Sequence, residues 1–165
     1  MTESQSIAQL NELPVETWRA ALEPVVAVAE WIDEVAAARP YADRSALLDL
    51  AERSALALTE SQVRRALADH PRIGAATAPG SRAAREQSGV DAADAELAAQ
   101  LRDGNLAYEE KFGHIYLVCA SGRSGHEMLA DLSERLGNEP DDEILVTRRE
   151  LAAIARKRLE RMVVQ

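Results

Sequence analysis

The chain has 165 residues, which suits one domain with a single core. Its net charge of −9 disfavours binding to phosphate backbones or anionic membrane surfaces, and a single cysteine, Cys119, excludes an internal disulfide framework and fits a reducing compartment. Apolar residues make up 47% of the chain and aromatics only 4%, with Ala, Leu, Glu and Arg dominant, so the composition predicts an all-α domain whose core is built by closely approaching helices rather than aromatic layers.

Met1 to Gln9 has neither a basic n-region nor an apolar h-region, so no signal peptide is expected there. No apolar run approaches the roughly 20 residues that span a bilayer, and a cytoplasmic protein is expected. A short helix or turn covers Ser6 to Asn11, and Pro14 opens a segment running to Leu22. Pro24 is expected to start a helix through Ala38, with Val25, Val28, Ile32 and Val35 at helical spacing, and Pro40 ends it. Asp43 caps a helix carrying Leu47, Leu48, Leu50 and Leu56. Thr59 and Gln62 form a capping-box pattern for a helix running to about Asp69. His70-Pro71 breaks it, because the residue before proline is pushed out of the α region.

Residues 71–81, with Gly74, Pro79 and Gly80, read as a loop, and Ser81 caps a short helix through Ser88. Asp91 opens a long helix to about Lys111. Ile115 to Ala120 is apolar and partly β-branched, and is either a short extended stretch or the buried start of a helix. Gly122, Ser124 and Gly125 form a second break, and helices follow over 126–136 and 141–162. The chain is thus expected to be one domain over residues 1–165, a bundle of about eight to nine helices.

Three local features offer chemistry. In His70-Pro71-Arg72-Ile73-Gly74 the imidazole stands at a helix C-terminus and is aimed out of the helix by the proline turn. A helix end favours the imidazolium, which makes His70 either a proton donor near neutral pH or simply a C-capping side chain. Glu86-Gln87 pairs a carboxylate with a carboxamide that both donates and accepts, which suits an amide-rich ligand, or else forms a solvated helix face. The stretch from Asn105 to Ser124 joins a helix to an apolar segment and a glycine turn beside Arg123, and is either an anion-binding backbone or a buried segment with an ordinary turn. Seventeen of the nineteen cations are arginines, which hold carboxylates by a rigid fork, although genome composition accounts equally well for that usage.

Taken in order, HPRIG (70–74), EQ-x-G-V (86–90), N-x-x-Y-x-x-KFG (105–113) with an apolar run and GRS (122–124), and I-A-x-x-R-L (154–159) resemble the 2-oxo-4-hydroxy-4-carboxy-5-ureidoimidazoline (OHCU) decarboxylases. N-E-L (11–13), E-W-I (30–32) and R-P-Y (39–41) extend the resemblance over nearly the whole chain. The resemblance implies an all-helical homodimer that needs no cofactor and no metal and makes (S)-allantoin in urate breakdown. It implies His70 as the catalytic histidine, Glu86 as its paired acid and Gln87 as the paired amide, with Pro71 lining the pocket. The backbone around Tyr116, Val118, Cys119, Ala120, Ser121 and Gly122 would meet the planar substrate ring, and Arg158, with Arg123 as a nearby match, would bind its charge. One position departs from the family pattern: Ala83 stands where a serine is common, so Ser81 or Ser88 substitutes for it or one substrate hydrogen bond is lost.

Other classes of function fit less well. A metal-dependent hydrolase would have to draw on His70, His114 and His126 without an HExxH or paired-cysteine pattern. A DNA-binding regulator built on Val63-Arg64-Arg65 would lack a basic recognition face. A catalytically degenerate ureide-binding protein is the remaining rival, and the presence of His70, Glu86 and Gln87 argues against it.

Overall fold

The computed structural model describes residues 5–68, 70–73 and 92–164. These residues hold eight helices and one pair of two-residue strands: β1 (Gln5–Ser6), α1 (Ile7–Glu12), α2 (Val15–Leu22), α3 (Ala29–Ala37), α4 (Arg44–Leu56), α5 (Glu60–Ala68), α6 (Ala92–Phe112), α7 (Gly125–Arg135), α8 (Pro140–Met162) and β2 (Val163–Val164). The all-α reading therefore holds, with 71% of the described residues in helices. The chain divides into two compact units, one formed by residues 1–69 with 144–165 and the other by residues 70–143. No helix among the described residues is long and apolar enough to cross a membrane.

In the first unit the caps read from the sequence, Asp43 and the Thr59–Gln62 box, are in place, and Ser6 adds one that the sequence reading did not mark. Ser6 and Gln9 satisfy each other's backbone N–H groups at the start of α1, and Thr59 and Gln62 do the same at α5. The Asp43 side chain accepts the Ala46 N–H at 2.8 Å to open α4. At the other end of the unit, β1 pairs in parallel with β2, and Arg44 caps α8 by donating to the carbonyls of Glu160 and Val163.

Three pieces of the N-terminal sequence pattern serve this unit's architecture. Asn11 brackets the backbone of Tyr41, its Nδ2 donating to the carbonyl at 2.9 Å and its Oδ1 accepting the N–H at 2.8 Å. Arg39 closes the C-terminal end of α1 by donating to the carbonyls of Leu10 and Leu13. Trp31 is fully buried and donates to the Ala51 carbonyl, while the Tyr41 hydroxyl donates to the carbonyl of Val35.

The expected helix from Pro24 to Ala38 starts five residues late. Residues 23–28 form a turn and an irregular stretch in which Val25, Val26 and Val28 are buried. The carbonyls of Pro24 and Val25, which a helix would use on its own N–H groups, are taken by Arg158 at 2.8 and 2.9 Å. A tertiary hydrogen-bond partner outweighs the helical spacing of the valines.

In the second unit α6 packs against α7. A Cβ on Gly104 of α6 would come within 2.7 Å of Leu132 Cδ2 on α7, so this mid-helix glycine serves close helix approach. Gly113, with φ 73°, ends α6 in the left-handed conformation, and its N–H returns to the Glu109 carbonyl. The core joins Leu101, Tyr108, Phe112, Tyr116, Val118 and Leu132. Small residues do permit close packing, since Ala51, Ala55, Ala66, Ala152 and Ala155 are buried in the first unit. The aromatic residues nonetheless count for more than their number suggested: both tryptophans, all three tyrosines and the one phenylalanine are buried.

Replacing Asn11 by Ala leaves the Tyr41 N–H and carbonyl without their partner. The expected loss is about 1–3 kcal/mol, read in urea unfolding as a lower midpoint at unchanged m-value.

Candidate active site

The segment His70 to Ile73 lies one residue beyond the end of α5 and belongs to no regular element. Pro71 has no N–H to give, so other groups must hold this backbone. Asn105 of α6 donates from Nδ2 to the Ile73 carbonyl at 2.8 Å. One turn further on, Glu109 takes the Arg72 guanidinium as a fork, with Nε to Oε1 at 2.5 Å and Nη2 to Oε2 at 2.9 Å. Arg72 holds the Glu109 carboxyl below its ordinary range, so the pair is intact at neutral pH and opens only as the pH falls below that range. His70 is half-buried, with its Nε2 shielded from solvent, while Pro71 and Arg72 are exposed. Glu86 and Gln87, like Ala83 and its neighbours Ser81 and Ser88, lie outside the described residues.

The stretch from Ile115 to Ala120 resolves as neither helix nor paired strand. Tyr116 and Val118 turn into the core of the unit, Cys119 is half-buried, and Ala120, Ser121 and Gly122 are exposed. Arg123 N–H returns to the Ala120 carbonyl at 3.1 Å, and Gly122 has φ 79°, the sign that the third residue of a type II turn requires. Ser124 caps α7 in a reciprocal box with Glu127. The Tyr116 ring serves the core, so any contact of this stretch with a ligand falls to its backbone and to the turn.

A buried charge network that the sequence reading missed holds this stretch in place. Arg135, 3% exposed, donates from Nη1 to the Leu117 carbonyl at 2.7 Å. Its Nε and Nη2 meet one oxygen of Glu143, which is 0% exposed, at 2.7 and 2.6 Å. The same oxygen accepts the Tyr108 hydroxyl at 2.5 Å, and Asn138 donates to the other at 2.9 Å. Burial alone would lower the Arg135 pKa, but the hydrogen bond and charge of Glu143 overcome it, and the guanidinium is held above its ordinary value. The Tyr116 hydroxyl donates to Asp131 at 2.5 Å, and burial followed by that carboxylate pushes the Tyr116 pKa up. The Arg135 guanidinium also lies 4.8 Å from the Tyr116 ring centroid.

The two candidate arginines differ in setting. Arg123 is paired with Asp131 at 3.4 Å. Arg158, half-buried in the first unit, binds only the carbonyls of Pro24 and Val25 among the described residues, and both bonds leave from Nη1. Burial, with Arg161 nearby, lowers its pKa. His114 sits edge-on to Tyr108, with ring centroids 5.5 Å apart, and belongs to the aromatic cluster, while His126 is exposed on α7. Among the described residues no three His, Cys, Asp or Glu side chains come together as a metal site.

The architecture is that of a known class of helical carboxy-lyases. A crystal structure of OHCU decarboxylase in the presence of (S)-allantoin matches with a TM-score of 0.70 at 25% identity, covering 86% of this chain and 95% of its own. A crystal structure of (S)-allantoin synthase shares the fold with a TM-score of 0.72 at 18% identity, over 96% of this chain and 54% of that one. The sequence agrees more closely. An OHCU decarboxylase from Amia calva is 33% identical over 94% of this chain and 93% of its own length. The uric acid degradation bifunctional protein TTL of Arabidopsis thaliana is 36% identical over 59% of this chain, which corresponds to 32% of that larger protein. The OHCU decarboxylase family model matches residues 11–160, and the chain belongs to that family.

Asn105 and Arg135 left different traces in the sequence. Asparagine is a poor helix former in mid-helix, and that could have flagged residue 105. Arg135 in the last turn of α7 and Glu143 in the first turn of α8 both match ordinary dipole preferences, so nothing marked them as a buried pair. Arg135→Met strands the Glu143 carboxylate without its cation, and the expected cost is about 3–5 kcal/mol. A double variant, Arg135→Met with Glu143→Met, regains a large part of that loss; chemical denaturation of the three proteins measures both effects.

Proposed function

We propose that this chain decarboxylates OHCU to (S)-allantoin in urate breakdown, with His70 as the proton donor. Family membership across residues 11–160 is the observation that carries the reading. Its chemical basis is the His70 imidazole, half-buried with a shielded Nε2, on a segment held at Arg72 and Ile73.

The substrate's carboxylate sits on the hydroxylated ring carbon C4, next to the ring C5=N1 double bond. When the bond to the carboxylate breaks, CO₂ leaves, the electron pair forms a C4–C5 double bond and the C=N pair moves onto N1. Transfer of the C4 hydroxyl proton to N1 leaves an enolate whose oxygen is on C4 and whose carbanionic carbon is C5. The substrate thus supplies its own electron sink, and the reading assigns no cofactor and no metal. The imidazolium of His70 then gives its proton to the carbanionic carbon on one face, which fixes the product's handedness, and regains a proton from water. Glu86 orients the ring, and backbone N–H groups in the turn at residues 118–122 hold the enolate oxygen. Gln87 and Arg158 carry the substrate's polar edges, with Pro71 beside the ring. Arg158 suits an anion because it has no carboxylate partner among the described residues, whereas Arg123 is already paired with Asp131. Residues 1–165 act in this reading as one domain of a cytoplasmic homodimer that handles a free small molecule without nucleic acid or membrane.

His70→Asn is expected to lower kcat roughly 10²-fold or more, measured on OHCU generated from urate in situ by following allantoin chirality. Wild-type turnover by a correctly folded variant removes His70 from the mechanism. Glu86→Gln separates orientation from binding: a fall in kcat fits a partner of His70, and a rise in KM alone makes Glu86 a substrate contact.

A further inference from the structure

Asn105 is 2% exposed in the middle of α6, among apolar neighbours that include Leu101 and Ile73. Leucine or methionine would suit both the helix and the core better. Its Nδ2 donates to two carbonyls, Leu101 in its own helix and Ile73 outside it, each at 2.8 Å. Two acceptors fix the amide's orientation, because Oδ1 could serve neither. Oδ1 is buried and meets no donor among the described residues. An amide that uses its donors and leaves its acceptor unmet is costly for packing alone, and the bond to Ile73 is what it gains.

That bond acts close to the chemistry. Ile73 lies three residues beyond His70, and Pro71 between them has its φ locked by the ring. The bond to the Ile73 carbonyl therefore ties the segment that carries the imidazole to α6 three residues from His70, and Pro71 removes one of the backbone torsions between them. The second anchor, Arg72 on Glu109, is weaker, because the Arg72 side chain is 58% exposed and the pair is screened by solvent.

We propose that Asn105 is a positioning residue for His70, acting through the Ile73 carbonyl. The inference rests on the reading of His70 as the proton donor, and Asn105 itself touches no substrate in it.

Asn105→Ser provides the test in the full-length protein. A serine hydroxyl has one hydrogen, which the Leu101 carbonyl of its own helix can take, so the helix stays satisfied and the bond to Ile73 is lost. The expected result is a kcat lowered tenfold or more with KM within about twofold. NMR signals of the His70 ring should move, together with their titration midpoint, while the melting temperature stays close to wild type. Asn105→Ala should show the same kcat effect with a larger drop in melting temperature, and if that variant does not fold, the serine variant decides alone. Unchanged kcat in folded Asn105→Ser, unmoved His70 ring signals, or a rise in KM alone would overturn the proposal. If His70→Asn keeps full turnover, the proton-donor reading fails instead, and the ring signals of Asn105→Ser still report whether Asn105 positions the imidazole.

Discussion

Arg135 and Glu143 each bury a full charge, and the second unit is organised around that pairing. Taking two charges out of water costs several kcal/mol per ion, so the pair persists only because almost every polar atom on it has a use. The carboxylate collects Tyr108 from α6, Arg135 from α7 and Asn138 from the turn before α8. The guanidinium spends its remaining face on the Leu117 carbonyl. One ion pair thus ties three helices to an irregular stretch of chain. A hydrophobic replacement could match its stability, but it could not hold that carbonyl at a defined place.

A common device runs through the unit. Two of its irregular pieces among the described residues, 70–73 and 115–122, have no helix or paired strand to satisfy their backbone. Each is held by a buried side chain reaching out from a helix: Asn105 to the Ile73 carbonyl and Arg135 to the Leu117 carbonyl. These are the pieces on which the proposed reaction depends, one for its imidazole and one for its backbone donors. A rigid helical scaffold carrying short loops through specific hydrogen bonds gives placement without requiring the loops to fold by themselves.

Much of the fold was legible because helix ends are written in local chemistry. Ser6, Asp43, Thr59 and Ser124 each stand at a helix start, with the bonds their residue types predict or allow. Legibility failed where a distant partner decided. The stretch after Pro24 has helical spacing, yet Arg158, more than 130 positions away, takes its carbonyls. At the site, the sequence order exposed His70 and the turn at Gly122, since proline and glycine mark the backbone directly. Of the residues that hold them, Asn105 left only its poor fit to mid-helix as a trace, and the buried charge pair left none. Arg135 and Glu143 look like surface charges until α7 and α8 are packed, and burial by tertiary contact leaves no periodic trace in so short a window.

The motif N-x-x-Y-x-x-KFG then takes on a different meaning from the one its place beside the site suggests. Asn105 holds Ile73, and Tyr108 donates to Glu143. Lys111 caps the end of α7 at the Leu136 carbonyl, Phe112 packs on Tyr108 at 4.6 Å between ring centroids, and Gly113 turns the chain out of α6. Every named position of the motif has a structural task in the geometry, and none needs a ligand to account for it. That division suits a reaction in which the substrate supplies its own electron sink. In the proposed mechanism the protein has to deliver one proton to one face, and the groups that keep an imidazole and a turn in register serve that step. The chemistry can be confined to a few side chains because so many others are occupied in holding two short loops still.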